Sequence, residues 1–474
     1  MELKNIKIRN FRCFKKYSIT FGERATVLFG KNGTGKSTLI NAIHKALSFI
    51  MDSDKIYSRE KVKVKGKLQR KLIDVKSITL GNPYLKVERF SKVGDNNNTD
   101  SPLIEIMAEA ELQPKQSLYW NMSAYITNFE LRPSGFKDAF RKFYEWQQTT
   151  GQWPVLAYYS DCFPHKEDNK KRVNKQKIAH LRNFGYLDWN DVEGCMKEWI
   201  GRLESNLVNI RNRSDLVEKL LRTQSAQEGV DNSEAINTTL SDIMDWKLEV
   251  NTIEECIINF CKNLLPGEEM PLEIVGINLH SQSRDLCVIT KEGKEISFIH
   301  LPAGYKRLLS IVMDLAFRCY IINKGNIESA KGIVIIDEID LHLHPELEKA
   351  VMPRLIEVFP YIQFIVSTHA IEVLTSLKTT DGRIKIVAME RGEEQPEEKK
   401  DIYGIDASTG LQEIMGVRRN GVELQRLIDR LAYMRLKDYH VQADNMQNYI
   451  LQLNLISAEE LNHRVAKKLM DLKK

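Results

Sequence analysis

No apolar run in this 474-residue sequence approaches the ~20 residues that a membrane-spanning helix needs. The N-terminus, Met1-Glu-Leu-Lys-Asn-Ile6, alternates as a strand does and lacks the apolar core of a signal peptide. Cysteine is sparse, with seven residues scattered without a repeated short spacing. Cys256 and Cys261, the nearest pair, lie in an apolar, helix-like run with no histidine close by. That pattern argues against a disulfide framework or a zinc site and implies reduced thiols. Neither charge sign dominates. The formal balance is +5, which by itself predicts no nucleic-acid partner. Extended coiled-coil arms are missing too. These absences lead us to expect a soluble cytoplasmic protein with no membrane association.

What is present is a large apolar fraction, 42% of residues, in a chain long enough for two or three structural units. Ile6 and Ile8 alternate with Lys7 and Arg9, and Tyr17, Ile19 and Phe21 with Ser18 and Thr20. Both stretches predict half-buried strands of an antiparallel edge. Ala25 to Phe29 is continuously apolar apart from Thr26, as a strand covered on both faces would be. Leu39, Ile43, Ala46, Leu47 and Ile50 then recur at helical spacing. Lys61 to Lys67 alternates as an exposed ribbon would, Leu103 to Leu112 is strand-like, and Pro154 to Tyr159 reads as a core strand. The stretch from Met196 to Leu265 is mainly helical by pattern. Glu292-Gly293 between two apolar runs signals a hairpin. After it, helix (Leu308 to Ile322), strand (Ile333 to Ile336), helix (Leu347 to Val358) and strand (Phe364 to Val366) alternate, which implies a parallel sheet. Beyond about Tyr403 the pattern is helical only.

Gly30-Lys31-Asn32-Gly33-Thr34-Gly35-Lys36-Ser37-Thr38 fits the phosphate-binding loop in full, with an apolar strand before it and an amphipathic helix after it. Glycines let backbone N–H groups converge on one anion at a helix N-terminus. Lys36 would reach the β- and γ-phosphates of ATP, and Ser37 would offer its hydroxyl to Mg²⁺. The plain alternative is a chance glycine-rich turn, and the strand and helix around it argue against that. Ile333-Val-Ile-Ile-Asp337-Glu338 is an apolar strand ending in two carboxylates. Asp337 would hold Mg²⁺ through water and Glu338 would act as general base on the attacking water. Alone, this segment would also admit a solvated acidic turn, the less favoured reading. Ser367-Thr368-His369 follows the next apolar strand, where His369 would contact the γ-phosphate; a lone strand-end histidine is more often a packing residue.

In order and spacing these motifs, with Ile8-Arg9-Asn10-Phe11-Arg12, resemble the ABC-type ATPases of the RecF/Rad-fifty/OLD group. In that group a signature segment ahead of a helix binds the γ-phosphate held by the opposite subunit. Leu301-Pro302-Ala303-Gly304-Tyr305-Lys306-Arg307 occupies this place, with Pro302 where the group has serine. The resemblance therefore assigns nucleotide contacts to Ala303 and Gly304 through backbone N–H groups. It also implies that Asp340, in Ile339-Asp340-Leu-His342-Leu-His344-Pro345, touches the dimer partner. Two histidines two apart also admit a metal pair, for which no third ligand is in view. Gln113 and Gln152 both remain candidates for the group's glutamine loop. More narrowly, Pro154 to Tyr159, Leu301 to Arg307, Asp340 to Pro345 and the tail Tyr403-Gly-Ile-Asp406…Ile414-Met-Gly-Val417 resemble the PtuA ATPases of Septu anti-phage systems, also found beside some retrons. That family implies a homo-oligomer built on head-to-tail dimers and a PtuB-like HNH nuclease subunit as partner. OLD nucleases carry a Toprim domain after the last strand. Here only an acid-rich run, Glu393 to Glu398, read as a solvated loop, and helices follow. We expect no nuclease site on this chain.

Lys55 to Lys71 holds eight Lys/Arg against one acid, and His165 to Arg182 seven against two. Such runs are usually solvated faces; the functional alternative is contact with a DNA phosphate backbone without base readout. The tail face of Leu424, Leu427, Ile428 and Leu431 would either pack within the chain or dock a partner. The expected fold is α/β: an ABC-type P-loop head, with a mixed sheet of antiparallel edge and parallel core, split by a mainly helical insert and followed by a helical segment. We place the N-terminal lobe at residues 1–160, the insert at 161–284, the C-terminal lobe at 285–400 and the helical segment at 401–474. The expected function is an Mg²⁺-dependent ATPase acting as switch or motor in anti-phage defence and gating the nuclease. The alternatives are a RecF-like DNA repair or replication ATPase without a nuclease partner, and a self-contained OLD-like nuclease.

Overall fold

The computed structural model describes residues 1–47, 50, 57–64, 67–72, 104–112, 116–124, 132–133, 137–160, 182–186, 189, 196–226, 232–262, 273–280, 285–415, 422–453 and 456–473. They divide into two units, residues 1–404 and 405–474. In the first, β1 (Glu2–Phe11), β2 (Phe14–Thr20) and β3 (Ala25–Phe29) lead into α1 (Lys36–Leu47). A two-stranded ribbon, β4 (Tyr57–Val64) and β5 (Lys67–Leu72), precedes β6 (Ile104–Leu112), β7 (Gln116–Ala124), β8 (Arg132–Pro133), α2 (Lys137–Thr150) and β9 (Val155–Tyr159). Helices α3 (Met196–Ala226) and α4 (Ser233–Cys261) pack on each other. They are followed by β10 (Ile274–Leu279), β11 (Leu286–Thr290) and β12 (Glu295–Ser297), an antiparallel sheet of three. The lobe closes with α5 (Ala303–Ile322), β13 (Gly332–Ile336), α6 (Pro345–Val358), β14 (Ile362–Ser367), α7 (Ile371–Thr375), β15 (Ile384–Ala388) and β16 (Glu397–Lys399).

Strands apolar at nearly every position can be satisfied only with both faces covered. Every residue of β3, β13 and β14 is buried accordingly. They sit in one sheet of order β16-β15-β3-β14-β13-β9, in which β15, β3, β14, β13 and β9 all run parallel. The register pairs Ser367 with Leu28, and Ile336 with both Val366 and Tyr159, so the carboxyl ends of β3, β14, β13 and β9 lie side by side. A second sheet, β2-β1-β6-β7-β8, is antiparallel. Its β6 alternates as one-sided burial demands, with Ile104, Ile106, Ala108, Ala110 and Leu112 inside. Gln363, 1% exposed at the second position of β14, joins the two sheets. Its Oε1 accepts the Leu3 N–H at 2.8 Å, and its Nε2 donates to the carbonyls of Leu3 (2.9 Å) and Gly22 (2.8 Å).

A buried polar cluster fastens α3 to the same lobe. Asp314 of α5 accepts from Tyr159 Oη at 2.6 Å, from Arg318 Nε at 2.7 Å and from the Trp199 indole N–H of α3. Both members of the Asp314–Arg318 pair are essentially inaccessible, so the desolvation cost is offset only because every side of the carboxylate is bonded.

Some expectations change. The stretch 161–284, expected to be mainly helical, also contains a strand, because Ile274–Leu279 forms β10 and pairs with β11. The acid-rich run is not wholly a loop: Glu397–Lys399 pairs with β15 as an edge strand, where backbone bonding suffices and the charges face solvent. Gln113 and nearly all of the basic run 165–182 lie outside the described residues, as do the side chains of the basic run 55–71. In the second unit, α8 (Ala407–Glu413) is capped by Asp406, whose carboxylate accepts the Thr409 N–H at 3.0 Å. Helices α9 (Val422–Leu436), α10 (His440–Gln452) and α11 (Ala458–Lys473) share one core. Ile428 and Leu431 lie in it and Leu424 and Leu427 pack against it, so that face is spent within the unit.

Candidate nucleotide site

The loop 30–38 leaves the carboxyl end of β3 and turns into α1. Gly30 (φ +148°) and Gly35 (φ +106°) adopt backbone that side chains resist, and the space is closed as well. A Cβ on Gly30 would lie 2.4 Å from the Met389 carbonyl oxygen, and one on Gly35 would lie 2.6 Å from the Phe14 ring. Thr34 braces the turn, its hydroxyl donating to the Lys31 carbonyl at 2.9 Å. Lys36 folds back into the loop it follows. Its ammonium donates to the carbonyls of Gly30 (2.8 Å) and Lys31 (3.3 Å), and the residue is 6% exposed. Burial pulls its pKa down, against the upward pull of Asp337, Glu338 and Asp340. The lysine and the three carboxylates therefore share one electrostatic neighbourhood. Lys31, Asn32, Gly33 and Ser37 are exposed, so an anion and a hydrated cation have access to the first turn of α1.

Asp337 and Glu338 continue from β13. Asp337 is buried, whereas Glu338 is half-buried and holds φ +52°, left-handed backbone unusual for a residue with a side chain. Two neighbours hold that turn. Ser367, the last residue of β14, accepts the Glu338 N–H on its hydroxyl at 2.9 Å and donates to the Asp337 carboxylate. Arg307, 2% exposed, donates to the carbonyls of Asp337 (3.0 Å), Glu338 (3.2 Å) and Ser160 (3.3 Å). Neither role follows from the motifs. The signal available was positional: Arg307, Asp314 and Arg318 are charges set among the apolar residues of a largely buried helix.

His369 is half-buried, two residues past the end of β14, and its backbone N–H donates to both oxygens of Asp340, at 3.2 and 3.3 Å. The Thr368 hydroxyl donates to Asp340 at 2.7 Å. The Asp340 carboxylate thus accepts hydrogen bonds inside its own chain. His344 is used as the N-cap of α6, ahead of Pro345 at the first helical position. Glu348 of α6 sits beside Glu372 and Asp340, and its carboxyl is pushed up to about 7 by burial and by these like charges.

The segment Leu301–Arg307 enters α5 with Pro302 as N-cap and no side-chain capping bond. Ala303 is exposed and Gly304 is buried, where a Cβ would come within 2.6 Å of the His342 carbonyl oxygen. Among the described residues no hydrogen bond joins Ala303 or Gly304 to the loop 30–38. Arg307 instead links α5 to the carboxylate turn. Of the two glutamine-loop candidates, Gln152 is exposed and its N–H donates to the Thr150 hydroxyl at 3.2 Å. No helix among the described residues is long and apolar enough to cross a membrane.

The retron Vc95 probable ATPase of Vibrio cholerae serotype O1 biovar El Tor is 29% identical over 409 residues, covering 82% of this chain and 73% of that protein. The Septu protein PtuA of Bacillus mycoides is 37% identical over 87 residues, 18% of this chain and 12% of that protein. Among solved structures, the SMC head domain from Thermotoga maritima is similar over 85% of this chain and 100% of that one, at 12% identity and a TM-score of 0.40. The AAA ATPase domain profile matches residues 1–373, a span that holds the glycine-rich loop, both carboxylates and the strand-end histidine. The chain belongs to the AAA ATPase domain family.

Proposed function

We propose that the protein hydrolyses ATP as a switch: two heads pair head to tail around ATP and Mg²⁺, and the paired state gates a partner HNH nuclease in anti-phage defence. The observation that carries this reading is the adjacency of three parallel strand ends, β3, β14 and β13, with Lys36 in electrostatic reach of Asp337 and Glu338. Ligands of parallel sheets gather at such ends. In this reading the backbone N–H groups of residues 31–38 cradle the phosphates and Lys36 reaches the β- and γ-phosphates. The exposed Ser37 hydroxyl and the Asp337 carboxylate are hard oxygen donors of the kind Mg²⁺ takes. The bound ion would neutralise charge on the phosphate oxygens. Glu338 takes a proton from the attacking water, and its turn is fixed by Arg307 and Ser367 rather than left to solvent. His369 faces the γ-phosphate, and Ala303 and Gly304 of the opposite head close the far side through the N-terminal N–H groups of α5. Likeness to retron and Septu ATPases supports the defence role.

Lys36→Ala is expected to lose binding of a fluorescent ATP analogue. Glu338→Gln is expected to bind ATP without turnover and to accumulate a dimer on mass photometry. In cells that also express an HNH nuclease partner, both variants are expected to lose protection in plaque assays. Retained nucleotide binding by Lys36→Ala, or unchanged hydrolysis by Glu338→Gln, would refute the site. Full protection with either variant would refute the switch.

A further inference from the structure

The turns after β13 and β14 are laced together reciprocally. Ser367 lends its hydroxyl to the carboxylate turn, accepting from the Glu338 N–H at 2.9 Å and donating to Asp337. Asp340 lends its carboxylate to the histidine turn, accepting the Thr368 hydroxyl at 2.7 Å and the His369 N–H at 3.2 and 3.3 Å. Thr368, 0% exposed, also accepts the Ala370 N–H on its hydroxyl at 3.0 Å, so this side chain is fixed from both directions. If Asp340 turned outward to a second head, a fully buried hydroxyl and a backbone N–H would lose their acceptor. Leaving buried donors unpaired costs more than a surface contact returns.

We infer that Asp340 is a positioning residue for His369 of its own chain, not a contact made across the paired heads. It acts at one remove. The carboxylate fixes the backbone of Thr368 and His369, and the backbone fixes where the imidazole stands relative to Glu338 on the neighbouring strand. Loss of that support misplaces the imidazole without touching the loop 30–38, so nucleotide affinity stays while turnover falls.

The test distinguishes action within one chain from action across two, and its mixing arm rests on the head-to-tail reading above. Asp340→Ala is expected to keep the wild-type Kd for an ATP analogue and to lose turnover on the order of 10²-fold, the usual cost of a misplaced reacting group. Asp340→Asn, which keeps one acceptor oxygen, is expected to retain more activity. Lys36→Ala mixed with Ala303→Glu should regain about a quarter of wild-type turnover, since half of the exchanged dimers are mixed and each keeps one complete site. Lys36→Ala mixed with Asp340→Ala should regain none, because the only loop able to bind ATP then sits on the chain with the displaced histidine. Equal recovery in both mixtures overturns the inference. No recovery in the first mixture refutes head-to-tail pairing instead, and a second readout then decides. In nucleotide-free protein labelled at histidine, the His369 Cε1–H resonance should shift in Asp340→Ala and stay in place in Ala303→Glu. An unmoved resonance in Asp340→Ala overturns the inference whatever the pairing.

Discussion

Gln363→Leu is expected to be among the most damaging single substitutions outside the nucleotide site. The side chain is 1% exposed and makes three hydrogen bonds, two with Leu3 and one with Gly22, all between 2.8 and 2.9 Å. Leucine fills a similar volume, so the cavity contribution is small and the loss is polar. It removes the acceptor of a buried N–H and the donor to two carbonyls. Each deprived buried group costs about 1–3 kcal/mol, partly returned by the better transfer of leucine, which gives a net loss of about 3–5 kcal/mol. Against a typical stability of about 5–15 kcal/mol that is a large fraction. Urea unfolding followed by circular dichroism should show a lower midpoint with an unchanged slope. Because the lost bonds join β1 to β14, protection of the β1 amides from hydrogen exchange should fall before that of β13. A loss under about 1 kcal/mol, or equal effects on both strands, would refute the view that this glutamine joins the sheets.

Three further outcomes follow from the site. Arg307→Met removes a buried charge whose desolvation cost offsets its bonds, so thermal stability should change little, while kcat falls on the order of 10²-fold because the carbonyls of Asp337 and Glu338 lose their common anchor; a collapse of Tm, or unchanged kcat, would contradict this. Glu348 titrates near 7 when folded, above its ordinary 4.5, through burial, Glu372 and Asp340. The folded chain therefore binds the extra proton between these values, and stability falls as pH rises through the window. Differential scanning fluorimetry should show Glu348→Gln gaining Tm at about pH 8 and nothing below about pH 4.5, with a pH-independent gain counting against the assignment. Cys13 is an exposed free thiol whose Sγ lies 2.8 Å from where a Cβ on Gly35 would stand. ATP should slow its labelling by maleimide, read by peptide mass, while buried Cys256, Cys261 and Cys319, all with raised pKa values, react slowly throughout; unprotected Cys13 would place the nucleotide elsewhere.

The parts legible in the sequence were those whose signal is local. A run such as Ile333 to Ile336 announces a doubly covered strand by itself, and a glycine turn or carboxylate pair at its end says where chemistry can gather. What stayed hidden depends on residues far apart in the chain. Gln363 and Leu3 are 360 positions apart, Arg307 and Ser160 are 147, and each looks like an ordinary polar residue until the strands are placed side by side. Edge strands were hidden for a different reason. Glu397–Lys399 is a three-residue strand of charged side chains, held by backbone pairing and a Lys385–Glu398 ion pair at 3.9 Å, so it carries no strand pattern, and Ile274–Leu279 is too short for its alternation to stand out after two long helices.

The strand order also explains why Glu338 can hold backbone that its side chain disfavours. A left-handed non-glycine residue costs about 1–2 kcal/mol, and such strain persists only where neighbours over-determine it. Here the Glu338 N–H is held by Ser367 from β14 and the Glu338 carbonyl by Arg307 from α5. Either bond to a buried partner is worth about as much as the strain, so one alone would leave the turn marginal and both together fix it. Because β14 lies between β3 and β13, the residue that holds the carboxylate turn is also two residues from His369 and in register with the strand that launches the loop 30–38. A displacement at the lysine, the histidine or the carboxylates is therefore shared by all three through Ser367 and its neighbours. Relaxing the turn should thus lower turnover more than nucleotide affinity, and Ser367→Ala, which removes one of the two restraints, should show that split more weakly than Arg307→Met, which also frees the end of β9.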